Sequence, residues 1–475
     1  FRVTKPSSEA ELAATDRLLE FLAVENPLET GDALRTRELV IVELREAVRE
    51  WIRDTAIAKG AAEEEAAEAG GNLYVSGSYR LGVQQAGGDI DVCCVAPRWC
   101  THEDFFATLA PKLLATPGVT KLHPIPKAAV PVMDIEFHGV PIDLLLACLP
   151  MSSIPADLNI LDDELLRGVD EASARSINGP RATELIYRLI PNFESFKGCL
   201  RAARLWAKQR GIYGNKMGFL GGINLNILVA YVSQLYPNAC SAALLFRFFW
   251  LFATWEWDCR HPVTLCRPYY ISDMTAEVWD PNVNYAHRYH LMPIITPAFP
   301  AFNSSLSVSE SSRAIMVGEL TRAYTTCEAI MKNPVDKQDW SLLFKPSNFF
   351  VRFAHYIRID IIAANKQDHQ DWSGFVEAQL RKLVVDFEKS RQPLSTATPT
   401  PTPADDSAKP RVKSFFIGIE IDQLRMRGPT LDVSSVVRYW KDRVKASFPD
   451  YREGMDLKEC SLSWKQLPDE VFPDG

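Results

Sequence analysis

The fold of this protein is indicated first by two short stretches of sequence, VSGSYRLG at residues 75–82 and GDIDV at residues 88–92. The first predicts a strand ending in a Gly-Ser turn, which presents backbone N–H groups and a hydroxyl to a triphosphate with no Cβ in the way. In the second, Asp89 and Asp91 are two residues apart on a predicted strand, so both carboxylates leave the same face. Adjacent carboxylates repel each other and are best explained by a divalent cation between them, with oxygen ligands favouring Mg²⁺.

A third carboxylate is predicted at Asp143. Its neighbours are apolar, and a carboxylate inside such a strand is unfavourable unless a metal ion or hydrogen bonds satisfy it. The alternative is the acidic pair Asp134 and Glu136 on the preceding predicted strand. That pair alternates with apolar residues as in a half-exposed strand, so we prefer Asp143.

The rest of the chain divides by its hydrophobic periodicity. Residues 9–25 and 31–69 read as helices, short apolar runs between residues 73 and 146 read as strands, and helical patterns dominate from Pro180 to about residue 330. Beyond this, we predict helices near residues 347–364, 372–389 and 432–447, and strands at 415–421 and 457–464.

These patterns predict a multidomain chain of the α/β and α classes. We expect a mixed-sheet head at residues 46–155, a helical middle domain at 1–45 and 156–330, and a third, α/β domain at 331–475. The Thr-Pro alternation at 392–410 cannot bury apolar surface, so it predicts a mobile loop within the third domain.

Composition excludes several classes of protein. Apolar residues make up 47% of the chain and charged residues 24%, which is typical of a globular protein and excludes collagen-like, coiled-coil and wholly disordered chains. No apolar run predicts a membrane span. Ten cysteines without a CxxC pair predict neither zinc nor disulfides, and free thiols suit a reducing compartment. Because the chain begins with Phe1, we expect trimmed ends, which leaves import signals open.

The net charge of −8 hides a locally basic segment. Residues 178–270 carry eleven basic and four acidic side chains, and such a segment can hold phosphates whatever the total charge is. The alternative is a solvated helix face.

The chain resembles the eukaryotic poly(A) polymerases of the nuclear type, whose nucleotidyltransferase head is similar to that of DNA polymerase beta. The resemblance covers almost the whole chain. It is carried by residues 77–97, 140–149, 176–179, 200–213, 218–238, 279–281, 289–297 and 348–356. It implies a nucleotidyltransferase head, a helical middle domain and a C-terminal domain like an RNA-recognition motif.

The resemblance also implies a reaction, in which ATP and an RNA 3′ end give RNA longer by one adenylate and pyrophosphate. Asp89 and Asp91 would hold two Mg²⁺ ions, or Mn²⁺, and Asp143 would hold the ion that activates the attacking hydroxyl. Gly77 and Ser78 would contact the phosphates. The family further implies a nuclear location, 3′-end processing factors as partners, no membrane and a monomer.

In the middle domain, Asn178, Tyr213, Gly222 and Ile223 match positions that meet the nucleotide in this family. Without the resemblance, Tyr213 would read as a packed aromatic and Gly222 as a turn before a helix.

A departure from the family pattern is Arg204, where many members carry a lysine that meets the triphosphate. Arginine keeps the charge but brings a planar fork. Lys208 is one helical turn further on the same face and could share the role.

The third domain lacks the aromatic-rich signature with which RNA-recognition motifs stack bases. RNA contact there would rest on backbone electrostatics through Arg438, Lys441, Arg443 and Lys445, although a solvated helix face explains these residues equally well.

Two other functions stay open at this point. A related enzyme could add another nucleotide, as a uridylyl transferase does. A catalytically silent RNA-binding relative is the second alternative, and the intact Asp89, Asp91 and Asp143 argue against it. Since the predicted site draws on two domains, we also expect a cleft that is open without ligands and closes on ATP and RNA.

Overall fold

The computed structural model describes residues 2–472 except 30, 129, 275, 391–393, 402–410 and 422–431. Within these residues the chain forms fourteen α-helices and eleven strands. The helices are α1 Glu9–Glu25, α2 Asp32–Ala58, α3 Glu63–Glu68, α4 Gly77–Arg80, α5 His102–Asp104, α6 Ala110–Leu114, α7 Glu171–Leu189, α8 Phe193–Gln209, α9 Gly222–Leu235, α10 Ser241–Ala253, α11 Glu310–Lys332, α12 Phe349–Arg352, α13 Lys366–Lys389 and α14 Ser434–Ser447.

The strands form three sheets among the described residues. They are β1 Asn72–Val75, β2 Ile90–Ala96, β3 Val119–Ile125, β4 Val132–Phe137, β5 Val140–Cys148, β6 Val263–Thr264, β7 Ile294–Ile295, β8 His355–Ala363, β9 Leu394–Pro401, β10 Arg411–Ile421 and β11 Asp456–Ser463.

The head is built on a mixed sheet in the order β1-β2-β5-β4-β3. Strands β2 and β5 are parallel, and their other neighbours are antiparallel. Alternate residues of β2 face opposite sides: Ile90 and Val92 pack in one core with α2, while Cys93 packs on the other side with Ile177 of α7. Asp91 therefore leaves the sheet on the side that faces α7.

The middle domain is a helical layer made of α1 and α7 to α11. Its core joins residues of α1, α8, α9, α10 and α11 and extends to Trp340 and Phe344, the latter stacked on Phe21 at 5.0 Å. Two asparagines, Asn224 and Asn226, are buried in the apolar α9, and both make side-chain hydrogen bonds.

The third domain has the chain order β8-α13-β9-β10-α14-β11 and the sheet order β11-β8-β10-β9. All its neighbouring strands are antiparallel, and α13 and α14 pack on one face of the sheet. This βαββαβ arrangement is the split βαβ topology of ferredoxin-like folds. The predicted fold class, a mixed-sheet head, a helical middle domain and a C-terminal sheet domain, is thereby confirmed.

Two local predictions in the third domain differ from the structure. The helix predicted near residues 347–364 is only the single turn α12, followed by strand β8, whose alternating Ile357, Ile359 and Ile361 face the helices. The loop predicted at 392–410 contains strand β9 at Leu394–Pro401, while residues 402–410 lie outside the described residues. Because β9 is an edge strand, it pairs on one side only and tolerates prolines without a ladder N–H.

The domain boundaries at residues 46, 155 and 330 stay a prediction. Packing assigns α2 to the head from Val40 onward and residues 340–344 to the middle domain. All ten cysteines are free thiols. Across the described helices, none is both long and apolar enough to cross a lipid bilayer.

Candidate active site

Three aspartates gather where β2 and β5 begin. Asp91 and Asp143 are register partners on these two parallel strands, so their side chains lie side by side on one face. Asp89 precedes β2 by one residue and is exposed. Burial, followed by repulsion from the Asp89 carboxylate, raises the pKa of Asp91 to about 6, and burial with repulsion from Asp89 and Asp91 raises the pKa of Asp143 to about 6.

The alternative acidic pair is arranged differently. Asp134 of β4 is the register partner of Asp143 on its other side, but its side chain is exposed. Glu136 is held by Lys121 at 2.5 Å and by the hydroxyl of Thr120 at 2.6 Å. Glu136 is therefore a structural ion-pair partner in this edge hairpin.

The Gly-Ser turn lies directly against Asp91. Gly77 has a φ of +62°, and a Cβ placed there would stand 2.2 Å from Oδ2 of Asp91. Its backbone N–H donates to the hydroxyl of Thr183 on α7 at 3.3 Å. Ser78 is half-buried in the same turn. Only glycine combines this left-handed backbone with such a close approach to the carboxylate.

Side chains of α7 and of the loop before β2 fix this turn and Asp89. Arg80 of the turn donates to Glu184 at 2.8 Å and lies 4.0 Å from the ring centre of Tyr187. Gln84, which is buried, donates to the carbonyls of Gly88 at 3.0 Å and Asp89 at 2.8 Å. Sequence reasoning missed Thr183 and Gln84, although an amide between two glycine turns was an available signal for Gln84.

The middle domain supplies the positive side of the site. On α8, Arg204 donates from Nη2 to Oδ1 of Asn226 at 2.9 Å, while its buried Nε has no partner among the described residues. A Cβ at Gly222 would lie 3.1 Å from Arg204 Nη2 and 3.2 Å from the Tyr213 hydroxyl. Burial lowers the pKa of Arg204, against the opposing charge of Asp91.

Lys208 reaches back to the head from the next turn of α8. Its Nζ donates to Oε1 of Gln85 at 2.5 Å and lies 5.4 Å from the ring centre of Tyr213. Loss of solvent and then the charge of Arg204 lower the pKa of Lys208, with Asp89 opposing. The head and the middle domain are thus in contact at this pair of residues, and the predicted opening and closing of the cleft between Asp91 and Tyr213 stays a prediction.

Asn178 and Ile223 occupy the margins of the site. Asn178 is 8% exposed, and its Oδ1 is buried without a hydrogen-bond partner in the described part of the chain. It lines a cavity of about 970 Å³ together with Phe299 and Phe302. Ile223 packs against the helical core. The structure therefore brings most of the predicted residues to one place and sets Asn178 in the adjoining cavity.

The aspartates offer oxygen atoms suited to a divalent cation. None of Asp89, Asp91 and Asp143 has a side-chain hydrogen bond or ion pair among the described residues, although Asp91 and Asp143 are partly buried. In that same part of the chain, no three Asp, Glu, His or Cys side chains already converge as a preformed cage. Partnerless, mutually repelling carboxylates fit a hard cation by the chemistry of the donor set.

Comparison with known proteins identifies the family. Three poly(A) polymerase family models match in succession, the nucleotidyltransferase domain at residues 3–190, the central domain at 195–346 and the predicted RNA binding domain at 348–409. The chain is 41% identical to nuclear poly(A) polymerase 1 of Arabidopsis thaliana, over all of this chain and 67% of that protein. The chain belongs to the poly(A) polymerase family.

Other similarities agree with this poly(A) polymerase assignment. A poly(A) polymerase of Dictyostelium discoideum is 34% identical over 99% of this chain and 59% of its own length. This chain spans about three fifths to two thirds of the relatives it matches. A solved structure of the RNA terminal uridylyl transferase Cid1 has a TM-score of 0.50 at 15% identity, covering 71% of this chain and 99% of that one, and shows the fold alone. Nucleotidyltransferases of this family use divalent metal ions.

The basic residues predicted to contact RNA on α14 are mostly neutralised within the third domain. Arg443 pairs with Asp386 at 2.6 Å and Lys445 with Asp456 at 2.7 Å, and Lys441 pairs with Glu459. Arg438 forms no ion pair among the described residues. The helix therefore presents less free positive charge than its sequence suggests.

Proposed function

We propose that this chain is a template-independent poly(A) polymerase, which transfers AMP from ATP to the 3′-hydroxyl of RNA. The observation that carries the proposal is the meeting of two charge sets, three partnerless carboxylates from the head and the Arg204–Lys208 pair from α8. Phosphoryl-type transfer draws most of its rate from positioning and charge neutralisation, and this arrangement provides both.

The assignment of the three aspartates as ligands of the divalent ions remains a prediction. Mg²⁺ is the first choice and Mn²⁺ a substitute, because all the donors are carboxylate oxygens. When bound, such ions lower the pKa of an attacking hydroxyl and neutralise a leaving pyrophosphate. The aspartates themselves need to break no hydrogen bond or ion pair within the described residues before binding, and ligand binding relieves their mutual repulsion.

The nucleotide-binding roles are proposed from unpaired polar atoms and close approaches. Arg204 keeps an unpaired Nε, and the hydrogen bond of Lys208 goes to an uncharged amide, so both retain charge for a triphosphate. Gly77 gives the phosphates an approach to the backbone beside Asp91, with Ser78 in the same turn. Tyr213, Gly222 and Ile223 would bound the base, and the unpaired Oδ1 of Asn178 would accept a hydrogen bond from the sugar or base; we keep these roles as predictions.

The cellular context follows from the relatives. The similar Arabidopsis enzymes are named nuclear poly(A) polymerases, and we place this chain in the nucleus. RNA and ATP are its proposed substrates. Recruitment by 3′-end processing factors and action as a monomer stay predictions.

Extension of a labelled oligo(A) primer with each of the four nucleotides in turn tests this function. We expect extension with ATP alone, with Mg²⁺ or Mn²⁺, and none from an Asp143→Ala variant. Preferred incorporation of UTP would make the chain a uridylyl transferase. Binding of oligo(A) without any incorporation would make it a silent relative.

A further inference from the structure

A second groove lies on the middle domain, formed by residues 259–288 and separate from every predicted site residue. It encloses about 910 Å³, and its lining includes Arg260, Arg267, Tyr270, Trp279, Asp280 and Arg288. Three guanidinium groups thus face a single carboxylate. None of these residues has a role in the chemistry described above.

Two of the three guanidinium groups keep an uncompensated charge. Arg267 forms no hydrogen bond or ion pair with any other described residue. Arg288 donates from Nε to the carbonyl of Pro281 at 2.7 Å, which leaves its terminal nitrogens without a carboxylate. Arg260, by contrast, is paired with Asp258 at 2.8 Å.

The carboxylate of Asp280 in the groove lining offsets the charge of one guanidinium group only. It accepts the backbone N–H of Asn282 at 2.7 Å and the Tyr270 hydroxyl at 3.4 Å. Of the acidic residues beside the groove, Asp273 is paired with Arg167 at 2.7 Å, while Glu277 accepts a hydrogen bond from Asn284 at 2.6 Å and lies 3.3 Å from Nε2 of His287. Once Arg260 is paired with Asp258 and the Asp280 carboxylate is counted, the described groove lining keeps an excess of positive charge, although the whole chain has a net charge of −8.

Exposed aromatic rings stand among these cations. Tyr270 is 53% exposed, Tyr285 63% and Tyr289 66%. The Arg288 guanidinium lies 5.1 Å from the centre of the Tyr285 ring, whose hydroxyl meets that of Tyr289 at 2.7 Å. Exposed rings alternating with guanidinium groups are the usual means of binding single-stranded nucleic acid, since phosphates meet the cations and bases stack on the rings.

The groove and the cavity that contains Asn178 are lined by the same segment of the chain. The same segment contributes Asp273 and Glu277 to the 970 Å³ cavity that contains Asn178. Tyr269, next to Tyr270, stacks at 5.6 Å on Phe299, which also lines that cavity. The Tyr269–Phe299 contact therefore joins the side of the groove to the wall of this cavity.

We propose that this groove binds the RNA strand upstream of the 3′ end, with Arg267 and Arg288 on phosphates and Tyr270 and Tyr285 beneath bases. The proposal rests on the proposed polymerase function for the identity of the strand. It predicts that long primers use the groove and short primers do not reach it.

The test compares primers of about four and about fifteen adenylates in the full chain, lengths that bracket the usual single-strand site sizes. Arg267→Glu with Arg288→Glu should raise the KM of the long primer by about fivefold or more, because two phosphates are no longer neutralised. The same variant should change the short-primer KM and the ATP KM by less than about twofold. The salt dependence of long-primer binding should also fall, by about 0.7 for each phosphate that the variant leaves without a cation.

Further variants separate the contributions. Arg267→Glu alone removes a side chain that has no hydrogen bond or ion pair with the described residues, so it should keep the fold and still weaken the long primer. Tyr270→Ala with Tyr285→Ala should weaken the long primer without altering its salt dependence. Arg53→Glu on the exposed face of α2 is the charge control and should leave both primers unaffected.

Fluorescence anisotropy of the long primer on an Asp143→Ala background keeps the groove separate from catalysis. Loss of long-primer affinity in the arginine variant supports the groove even if the wild-type chain proves inactive. An unchanged long-primer affinity and salt dependence would overturn the proposal and direct attention to an acidic protein partner. Equal losses for both primers would also overturn it, because the groove would then not be upstream.

Discussion

The candidate active site and the third domain differ in how many of their charged side chains are paired. Around β2 and α8, three carboxylates have no partner among the described residues, and buried Nε of Arg204 and Oδ1 of Asn178 are also unpaired. On α14, three of the four basic side chains are closed in ion pairs with the domain's own acids. Unpaired buried polar groups lower stability, so a fold keeps them where a ligand completes them. The difference is the one expected if the proposed chemistry takes place in the first region and the basic residues of the second are mainly structural.

The largest expected effect is removal of a site carboxylate. Asp89→Ala or Asp91→Ala should reduce primer extension by about 10³-fold or more, because charge stabilisation at a metal is worth several kcal/mol. Thermal unfolding should show no loss of stability, since repulsion is relieved. Asp386→Ala is the matched control on a paired carboxylate and should keep activity. More than a tenth of wild-type activity in either site variant would contradict the assignment.

Gly77→Ala tests the close approach of the turn to Asp91. The added Cβ would stand 2.2 Å from Oδ2 of Asp91 and force that oxygen to move, so we expect a loss of about 10²-fold in kcat, as ångström-scale misplacement produces. Gly87→Ala is the control, since Gly87 also has a positive φ of +73° but nothing within 4 Å of its Cβ. Both variants should lose about 1–2 kcal/mol of stability from the backbone conformation, and only the first should lose activity. Equal activity losses would show that strain alone, rather than contact with Asp91, is the cause.

The head motif and the fold class were predictable because they depend on local spacing. The i, i+2 placement of Asp89 and Asp91 and the apolar surroundings of Asp143 are visible in a few residues, and the structure does bring these carboxylates together. Thr183 could not be found in this way, since its contact with Gly77 joins residues 106 positions apart. Strand β8 was misread as a helix because the turn α12 precedes it and Phe353 and Tyr356 fit a helical spacing, although residues 357, 359 and 361 alternate as in a strand.

Arg210 and Glu319 form a buried ion pair, which adds a paired charge of the protein interior to the comparison of paired and unpaired groups. It binds Glu319 through Nε at 2.8 Å and Nη2 at 3.0 Å, and donates to the carbonyls of Lys345 and Pro346, where the middle domain meets the third. Arg210→Ala should lower the free energy of unfolding by about 2–3 kcal/mol, because it leaves a buried carboxylate with fewer partners. The ATP KM should stay within about twofold, since the substituted residue lies beyond the nucleotide contacts proposed for α8.

The pH dependence of stability distinguishes this pair from a packing effect. Burial raises the pKa of Glu319, but the ion pairs with Arg210 and Arg322 outweigh it and hold the pKa below the usual value. Its stabilisation is therefore complete above the unfolded pKa of about 4.3 and is lost as pH falls through the lower folded value. The Arg210→Ala deficit should shrink in acid, as urea unfolding at several pH values would show. A deficit independent of pH would indicate lost packing instead.

Variants of Arg204 should have a smaller effect, and they separate the contribution of its positive charge from that of its planar shape. Arg204→Ala should raise the ATP KM by about 10- to 100-fold, the range of one charge-assisted hydrogen bond. Arg204→Lys keeps the charge and introduces the family's commoner residue, so its KM should stay within about threefold. Nucleotide titration under initial-rate conditions measures both. If Arg204→Ala leaves the ATP KM and kcat unchanged, other residues hold the triphosphate, and the unpaired Nε of Arg204 does not bind it.

The smallest expected effect concerns α14. Variants of this helix test directly whether its paired basic side chains are structural. Arg438 has no ion pair among the described residues, so Arg438→Ala should weaken oligo(A) binding by about two- to threefold and reduce its salt dependence by about 0.7, the contribution of one phosphate. Arg443→Ala should change binding by less than twofold, because its charge is already neutralised by Asp386. Fluorescence anisotropy at several salt concentrations measures both variants. Removing a partly exposed pair changes stability by about 1 kcal/mol or less, so neither result should be confused with unfolding. A greater loss of oligo(A) affinity from Arg443→Ala than from Arg438→Ala would mean that the ion pairs open when RNA binds. The paired basic residues of the third domain would then contact RNA as well as stabilise the fold.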